Sequence, residues 1–210
     1  MARAAAIAAS ITVAGALGLG VWYAFLVPQS GDRFAECRAS AVAGGQAAIG
    51  GDFTLTDQTG ARVTAAEVID GPTLIYFGYT FCPDVCPLDT VRMADAVDRL
   101  AEAGVDATPV FVTVDPERDT PEVLDAFTGN IHPGMVGLTG TREEIDAVMR
   151  AWKAFAQRSA TSAADDEYYL VDHSTLTYLH APGEGFLEFF RRDVSAEAMA
   201  ERVACFTERL

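Results

Sequence analysis

An uninterrupted apolar run constrains the fold of this chain more than any other feature. The run covers residues 73–79, follows the Gly71-Pro72 break and lacks the alternating polar positions of a half-exposed strand. It therefore predicts a strand buried on both faces, as in a sheet with parallel strands and helices on either side. Two cysteines, Cys82 and Cys86, follow directly. The chain thus places two thiols between the end of a central strand and the start of the next helix.

The segments after the cysteines alternate between helix and strand patterns. In residues 87–100, apolar side chains recur every three or four positions, which predicts a helix whose buried stripe includes Leu88 and Val91. Residues 108–114 predict the next buried strand, and Thr120 is placed to cap the helix after it. A strand, helix and strand in this order predict a parallel crossover connection.

Shorter elements are predicted in the remainder of the chain. A capping box at Thr141 begins a helix whose apolar positions extend to Phe155, and Ser195 caps a closing helix. Further short strands are predicted at residues 53–56, 135–139, 168–171, 175–179 and 186–190. The whole pattern indicates an α/β fold in which a central mixed β-sheet is flanked by helices.

The first residues have a different character. Residues 4–27 contain no charge and no proline, and as a helix they would reach ~36 Å, enough to cross a ~30 Å hydrocarbon layer. We therefore expect an N-terminal transmembrane anchor in residues 1–27, a linker in residues 28–50 and one folded domain in residues 51–210. A cleaved secretory signal is the alternative, because Arg3 supplies the positive charge that precedes such a segment.

The charge distribution gives an orientation and excludes one class of partner. Arg3 and the short N-terminus favour a single-pass inner-membrane protein with its C-terminal domain in the periplasm. Without residues 1–27 the chain has 14 basic and 30 acidic side chains, a net charge of −16. We therefore expect no nucleic-acid partner, since such proteins neutralise phosphates with basic side chains.

Cys82 and Cys86 form a close pair with three intervening residues. A local structural disulfide, a thiol redox pair and a metal-binding pair all remain open. The spacing favours metal binding, because residues four apart on a helical turn share one face and direct two sulfurs toward one ion. Two thiolates suit Cu(I), and a third ligand would raise the affinity and allow Cu(II).

Three histidines are available as a third ligand. His132 belongs to a loop and His180 to a hairpin end, where solvated residues are usual. His173 lies between two apolar strand patterns, beside Asp172, whose carboxylate could orient the imidazole ring. An isolated histidine of this kind is more often structural than a ligand, so the residue pattern alone leaves the choice open.

Cys37 and Cys205 lie far from the close pair. In an oxidising compartment we expect them to form a disulfide that ties the linker to the closing helix. Two free buried thiols are the alternative.

Four motifs taken together resemble those of the Sco/SenC family. They occupy residues 78–87, 114–121, 137–140 and 172–174, and the resemblance runs from about Gly51 to the C-terminus. The separation of Cys86 and His173 by 87 residues and the single N-terminal anchor are also similar to that family.

The resemblance implies a thioredoxin-like fold that binds one copper ion through Cys82, Cys86 and His173. It implies copper delivery to the dinuclear copper A site in subunit II of cytochrome c oxidase, or reduction of that subunit's cysteines. Asp172 and Asp115 match acidic family positions near the site. Two functions therefore stay open: a metallochaperone, and a thiol-disulfide oxidoreductase in which Cys82 and Cys86 are redox-active. Another periplasmic copper chaperone or thiol oxidoreductase is a further candidate partner.

Overall fold

The computed structural model describes residues 32–40, 42, 45, 48–162 and 168–210. The chain divides into two compact units, residues 1–35 and residues 36–210, and all helices and strands below belong to the second. The predicted membrane anchor falls on residues outside the described ranges and stays a prediction. Within those ranges, no helix has the length and apolar character needed to span a bilayer.

A mixed sheet of seven strands forms the centre of this unit. The strands in the described part of the chain are β1 (Thr54–Asp57), β2 (Arg62–Thr64), β3 (Thr73–Gly78), β4 (Thr108–Thr113), β5 (Val136–Thr139), β6 (Ala156–Arg158), β7 (Val171–His173), β8 (Thr177–Ala181) and β9 (Gly185–Phe190). The order in the sheet is β2-β1-β5-β4-β3-β8-β9. Strands β3, β4 and β5 pair in parallel, and the other neighbours are antiparallel. The predicted mixed sheet is confirmed, and every residue of β3 is buried.

Helices cover both faces of this sheet. The helices are α1 (Ala65–Val68), α2 (Val85–Glu102), α3 (Pro121–Ile131), α4 (Arg142–Trp152) and α5 (Ala196–Thr207). Successive side chains of a strand point to opposite faces. Accordingly Phe77 contacts Trp152 of α4, whereas the preceding Tyr76 stacks on Phe111, which contacts Phe127 of α3. Helix α2 packs on β3 and β4 and against α5.

The buried face of α2 differs from the predicted stripe. Leu88 and Val91 are 60% and 45% exposed, so the sequence prediction is wrong at both positions. The helix turns Cys86 inward, and the residues that follow it at helical spacing share its face. The side chains buried on this face include Cys86, Thr90, Met93 and Val97.

The short elements around His173 also differ from the prediction. Helix α4 ends at Trp152 because Lys153 adopts a left-handed conformation with φ 55°, which leaves Phe155 outside the helix and exposed. The chain then forms β6, which pairs with β7 in a separate two-stranded ribbon. This β7 replaces the strand expected at residues 168–171. A strand of three residues is too short to show a clear alternation of apolar and polar positions, so β6 had no sequence signal.

Residues that the sequence assigns to the linker are fastened to the folded unit. Cys37 and Cys205 form a disulfide with their Cα atoms 5.7 Å apart, which is the pairing expected from the sequence. The backbone N–H of Ala39 and the hydroxyl of Ser40 donate hydrogen bonds to the buried carboxylate of Glu188 on β9. The chain is thereby held against α5 and β9 from Cys37 onward.

Replacing both Cys37 and Cys205 with serine is expected to lower the free energy of unfolding by about 2–5 kcal/mol. The bridge joins residues 168 positions apart, so its loss frees a very long loop in the unfolded chain. Urea denaturation without reductant measures the difference. Wild-type protein with its disulfide reduced serves as the control and should match the variant. Equal stability of the oxidised wild type and the variant would contradict this account.

Candidate metal centre

Three donor atoms meet beyond the carboxyl end of β3. They are Sγ of Cys82, Sγ of Cys86 and Nε2 of His173, and each lies within 4.8 Å of the others. The distance between Cys86 Sγ and His173 Nε2 is 3.2 Å. In the described part of the chain, no other group of three histidine, cysteine or acidic side chains is arranged to hold a metal ion.

The two cysteines are positioned by the turn between β3 and α2. The backbone N–H of Cys82 donates to the carbonyl of Tyr79, and the backbone N–H of Cys86 donates to Sγ of Cys82 at 3.3 Å. The hydroxyl of Thr90 donates to the carbonyl of Cys86 at 2.6 Å. Sγ of Cys82 thus faces the N-terminus of α2, where backbone N–H groups and the helix dipole stabilise a thiolate.

His173 is presented by β7 in a defined tautomer. Its Nδ1 lies 2.9 Å from the carbonyl oxygen of Ser174. Because a carbonyl oxygen only accepts hydrogen bonds, Nδ1 carries the proton and Nε2 has a free lone pair directed toward the sulfurs. The rings of Tyr76 and Tyr79 contact the imidazole edge-on, at 6.1 and 5.7 Å between ring centroids. The ring is therefore fixed in the orientation that metal binding requires.

The two thiols have opposite pKa shifts. A hydrogen bond from Cys86 lowers the pKa of Cys82 to about 3, assisted by backbone N–H groups, although burial acts in the other direction. The pKa of Cys86 is raised, because its proton is held by Cys82 and because the side chain is buried. The pair is thus composed of one thiolate and one thiol, neither of them in a disulfide.

The approach of Cys86 to the sheet depends on Gly78. A Cβ atom at this position would lie 3.0 Å from Sγ of Cys86, 2.8 Å from a ring carbon of Tyr76 and 2.9 Å from a ring carbon of Phe111. All three contacts are too close for a side chain. Only glycine leaves room for the Cys86 sulfur at the end of β3.

The structure corrects the expected role of Asp172. The side chain of Asp172 is exposed, and because it neighbours His173 on a strand it points to the opposite face. The carbonyl of Ser174 orients the imidazole instead.

Asp115 is buried, but its carboxylate binds none of the three donors. It accepts hydrogen bonds from Arg118 Nε at 2.5 Å and from the Tyr169 hydroxyl at 2.6 Å. The guanidinium of Arg118 lies over the rings of Tyr169, Phe81 and Tyr79, at 3.6, 4.8 and 5.7 Å from the ring centroids. Asp115 is thus linked to Tyr79, which contacts His173, through Arg118.

The other two histidines are remote from the donors. Nε2 of His132 lies 3.2 Å from a carboxylate oxygen of Asp98. His180 lies on β8 rather than in a solvated turn. On this strand its ring packs against Trp152, and burial lowers the pKa of the imidazole. His180 pairs with Thr73 at the start of β3, at the opposite end of that strand from the cysteines.

Sequence reasoning missed Tyr76, Gly78 and Tyr79 as parts of the centre. A glycine inside an apolar strand is a signal for close approach of another group, so Gly78 could have been found. The two tyrosines had no such signal, since aromatic residues are common in buried strands.

The donor set suits a soft metal ion. One thiolate is already formed, the second forms when a metal displaces the Cys86 proton, and the imidazole presents a free nitrogen. Structural zinc sites are closed by four protein ligands, whereas this centre offers three. The fold and the donors together define a thioredoxin-like domain with a Cys-Cys-His metal centre.

The chain belongs to the SCO1/SenC family, whose family model matches residues 41–208. It is 49% identical over 208 residues to Protein SenC of Rhodobacter capsulatus, covering 99% of this chain and 92% of that protein. It is 40% identical over 162 residues to the human mitochondrial SCO1 homolog, of which it covers 53%.

Solved structures show the same fold. The copper-bound crystal structure of Arabidopsis thaliana ScoI matches with a TM-score of 0.70 and 37% identity, over 77% of this chain and 99% of that one. The copper-bound structure of Bradyrhizobium japonicum ScoI matches with a TM-score of 0.66 and 35% identity, over 75% of this chain and 98% of that one.

A Gly78→Ala variant is expected to lose roughly 1–3 kcal/mol of unfolding free energy, because the added methyl group overpacks the space against Cys86. Urea denaturation measures the loss. Gly71→Ala is the matched control, since a Cβ there meets no atom within 4 Å and the backbone φ is not positive. If both variants were equally stable, Gly78 would not be needed for close packing.

The lowered pKa of Cys82 predicts a reactive thiolate in the metal-free protein across a wide pH range. Alkylation of Cys82 by iodoacetamide should proceed at a nearly constant rate between about pH 4 and about pH 8. In Cys86→Ala the hydrogen bond from Cys86 is lost, so the pKa rises and the rate should fall as the pH is lowered. Cys82→Ala is the control and should react slowly. A wild-type rate that falls about tenfold per pH unit below pH 8 would contradict the assignment.

Proposed function

We propose that this protein is a membrane-tethered copper metallochaperone for the dinuclear copper A site of cytochrome c oxidase subunit II. It binds one copper ion through Cys82, Cys86 and His173. The observation that carries the proposal is the convergence of these three donors within 4.8 Å, although His173 is 87 residues from Cys86. The copper-bound ScoI structures support copper as the cargo.

The chemistry of the donors favours copper over harder ions. Two sulfurs and one imidazole form a soft, three-ligand set that matches Cu(I). The imidazole nitrogen also allows the site to bind Cu(II). The ring needs no reorientation, because the Ser174 carbonyl already holds the tautomer that leaves Nε2 free. The residues therefore bind the ion in a largely preformed geometry, which limits the ordering cost of binding.

The surface around the centre supports transfer to a protein partner. Among the described residues, seven large apolar side chains are exposed, and six of them lie on the segments that carry or contact the ligands. These six are Phe81, Leu88, Val91, Phe155, Tyr168 and Leu170. Phe155 joins the ligand region through hydrogen bonds between its backbone and Ser174. Exposed apolar side chains on the segments that carry the ligands are a candidate contact surface for a protein partner.

The remaining parts of the proposal rest on the amino-acid sequence alone. Residues 1–27 anchor the protein in the inner membrane, and the domain faces the periplasm. Another periplasmic copper chaperone is a candidate partner. Transfer proceeds by ligand exchange, in which ligands of the recipient replace Cys82, Cys86 and His173.

A second candidate function is thiol-disulfide exchange, favoured by the opposite pKa shifts of the two cysteines. The Cys82 thiolate attacks a disulfide of the partner and forms a mixed disulfide, releasing one partner thiolate. Cys86 then loses its proton and attacks Cys82, which releases the second thiol and leaves a Cys82–Cys86 disulfide. The partner gains two electrons, and a periplasmic thiol oxidoreductase restores the pair.

Replacement of His173 tests the metallochaperone. We expect His173→Ala to lower the Cu(I) affinity by at least about 100-fold, because loss of a ligand should exceed the effect of losing an outer hydrogen-bond partner. Competition with a chromophoric Cu(I) chelator measures affinity, and copper transfer to the isolated soluble domain of subunit II measures function. His132→Ala is the matched control and should leave both unchanged, because His132 contacts Asp98 rather than the centre. Unchanged affinity in His173→Ala would refute the three-ligand centre.

The same variants separate the two functions. Reduction of a disulfide-containing subunit II domain by the reduced protein should need both cysteines, but not His173. If His173→Ala transferred copper normally, and reduction failed only in Cys82→Ala and Cys86→Ala, thiol exchange would be the better assignment.

A further inference from the structure

A buried carboxylate holds the turn that carries Cys82. Asp119 is 0% exposed and lies between β4 and α3. Its Oδ1 accepts a hydrogen bond from the hydroxyl of Thr80 at 2.6 Å. Its Oδ2 accepts from the backbone N–H of Thr80 at 3.0 Å and from the hydroxyl of Thr113 at 2.6 Å. Asp119 thus joins the end of β4 to a residue two positions before Cys82.

Three groups form hydrogen bonds with the side-chain oxygens of Asp119. The oxygen of Thr113 accepts a hydrogen bond from the backbone N–H of Asp115, so the Thr113 hydroxyl proton is available to Asp119. Three donors therefore point at two carboxylate oxygens. Burial raises the pKa of Asp119, while the hydrogen bonds from Thr113 and Thr80 oppose the rise. Among the described residues, no lysine, arginine or histidine is a cause of the pKa shift of Asp119.

The turn has fewer contacts elsewhere at this point. The side chains of Phe81, Pro83 and Asp84 are exposed, and the ring of Phe81 packs against the guanidinium of Arg118 at 4.8 Å from the ring centroid. The backbone bond from Cys82 to Tyr79 fixes the local bend, but it connects the turn only to its own strand. The hydrogen bonds between Asp119 and Thr80 connect the turn to the neighbouring strand, β4.

We propose that Asp119 is a positioning residue for the metal centre. Asp119 accepts hydrogen bonds from both the backbone N–H and the hydroxyl of Thr80, and these bonds fix the path of the turn. This path keeps Sγ of Cys82 near Sγ of Cys86 and Nε2 of His173. The inference rests on the proposed copper binding by these three residues, and it adds a residue that touches neither the ion nor its ligands. Without Asp119 the turn would have to be ordered when copper binds, which lowers affinity.

Removal of the hydrogen bonds from either end tests the proposal. Thr80→Val removes the hydroxyl with little change in shape, and Asp119→Asn replaces one accepting oxygen with a donating amide. We expect each variant to bind Cu(I) about 10–100-fold more weakly in chelator competition, the range typical of partners that orient metal ligands. The double variant should be little worse than Asp119→Asn alone, because the two changes remove the same interaction.

Thr128→Val is the matched control. Thr128 is also buried, and its hydroxyl donates to the carbonyl of Leu124 within α3. This variant should lose stability in urea denaturation without losing copper affinity. The reduction potential of the Cys82–Cys86 pair is a second readout that needs no copper. It should shift in Thr80→Val and Asp119→Asn, because the turn geometry decides how easily the two sulfurs join, and stay constant in Thr128→Val.

The outcomes separate the proposals. If folded Thr80→Val had an unchanged Cu(I) affinity and an unchanged Cys82–Cys86 reduction potential, the proposed role of Asp119 would be overturned. Thr80→Val alone decides the test if Asp119→Asn does not fold. A similar loss in Thr128→Val would assign the effect to general stability and also overturn it. Failure of the wild type to bind copper would refute the proposed function, while the potentials would still decide whether Asp119 positions the turn.

Discussion

The contact between the Cys86 sulfur and the end of β3 determines the geometry of the whole centre. Because Gly78 has no side chain, α2 can begin close to the sheet and direct Cys86 inward. Sγ of Cys86 then lies 3.2 Å from Nε2 of His173, and its backbone N–H reaches Sγ of Cys82. A larger residue at position 78 would displace this sulfur and with it both other contacts. Tyr76 of β3 and Tyr79, the residue that follows β3, complete the arrangement through edge-on contacts with the imidazole.

The elements that could be predicted are those whose signals are local. The continuous apolar run at residues 73–79 gave the buried strand β3, and the cysteine spacing placed two sulfurs at the start of a helix. His173 is different, because no local pattern connects it to residues 87 positions away. Its selection depended on the resemblance to a family. The imidazole arrives through β7, a ribbon strand of only three residues that pairs with an equally short β6.

The errors have related physical causes. Helical spacing showed that one face of α2 is buried, but Leu88 and Val91 were placed on it because hydrophobic residues usually lie inside. Here Cys86 lies on the inward face, and the side chains of Leu88 and Val91 are left exposed on the same helix. Asp172 was expected to orient His173 because it is adjacent in sequence, yet adjacent strand residues point to opposite faces. Asp119 had no sequence signal, since its partner Thr80 lies 39 residues away.

The two cysteines differ in ways that bear on the copper transfer that we propose. Cys82 lies on a turn with exposed neighbours, and its thiolate is stabilised even without metal by a hydrogen bond from Cys86 and by backbone N–H groups. Cys86 is fully buried, and its raised pKa favours the thiol once the metal has gone. In the proposed transfer, a recipient's ligand would therefore meet the ion first on the Cys82 side. As the ion left, Cys86 would take up a proton while Cys82 remained a thiolate. This protonation would oppose rebinding, because copper would have to displace the proton again. The asymmetry of the pair is thus consistent with net transfer to the recipient that we propose.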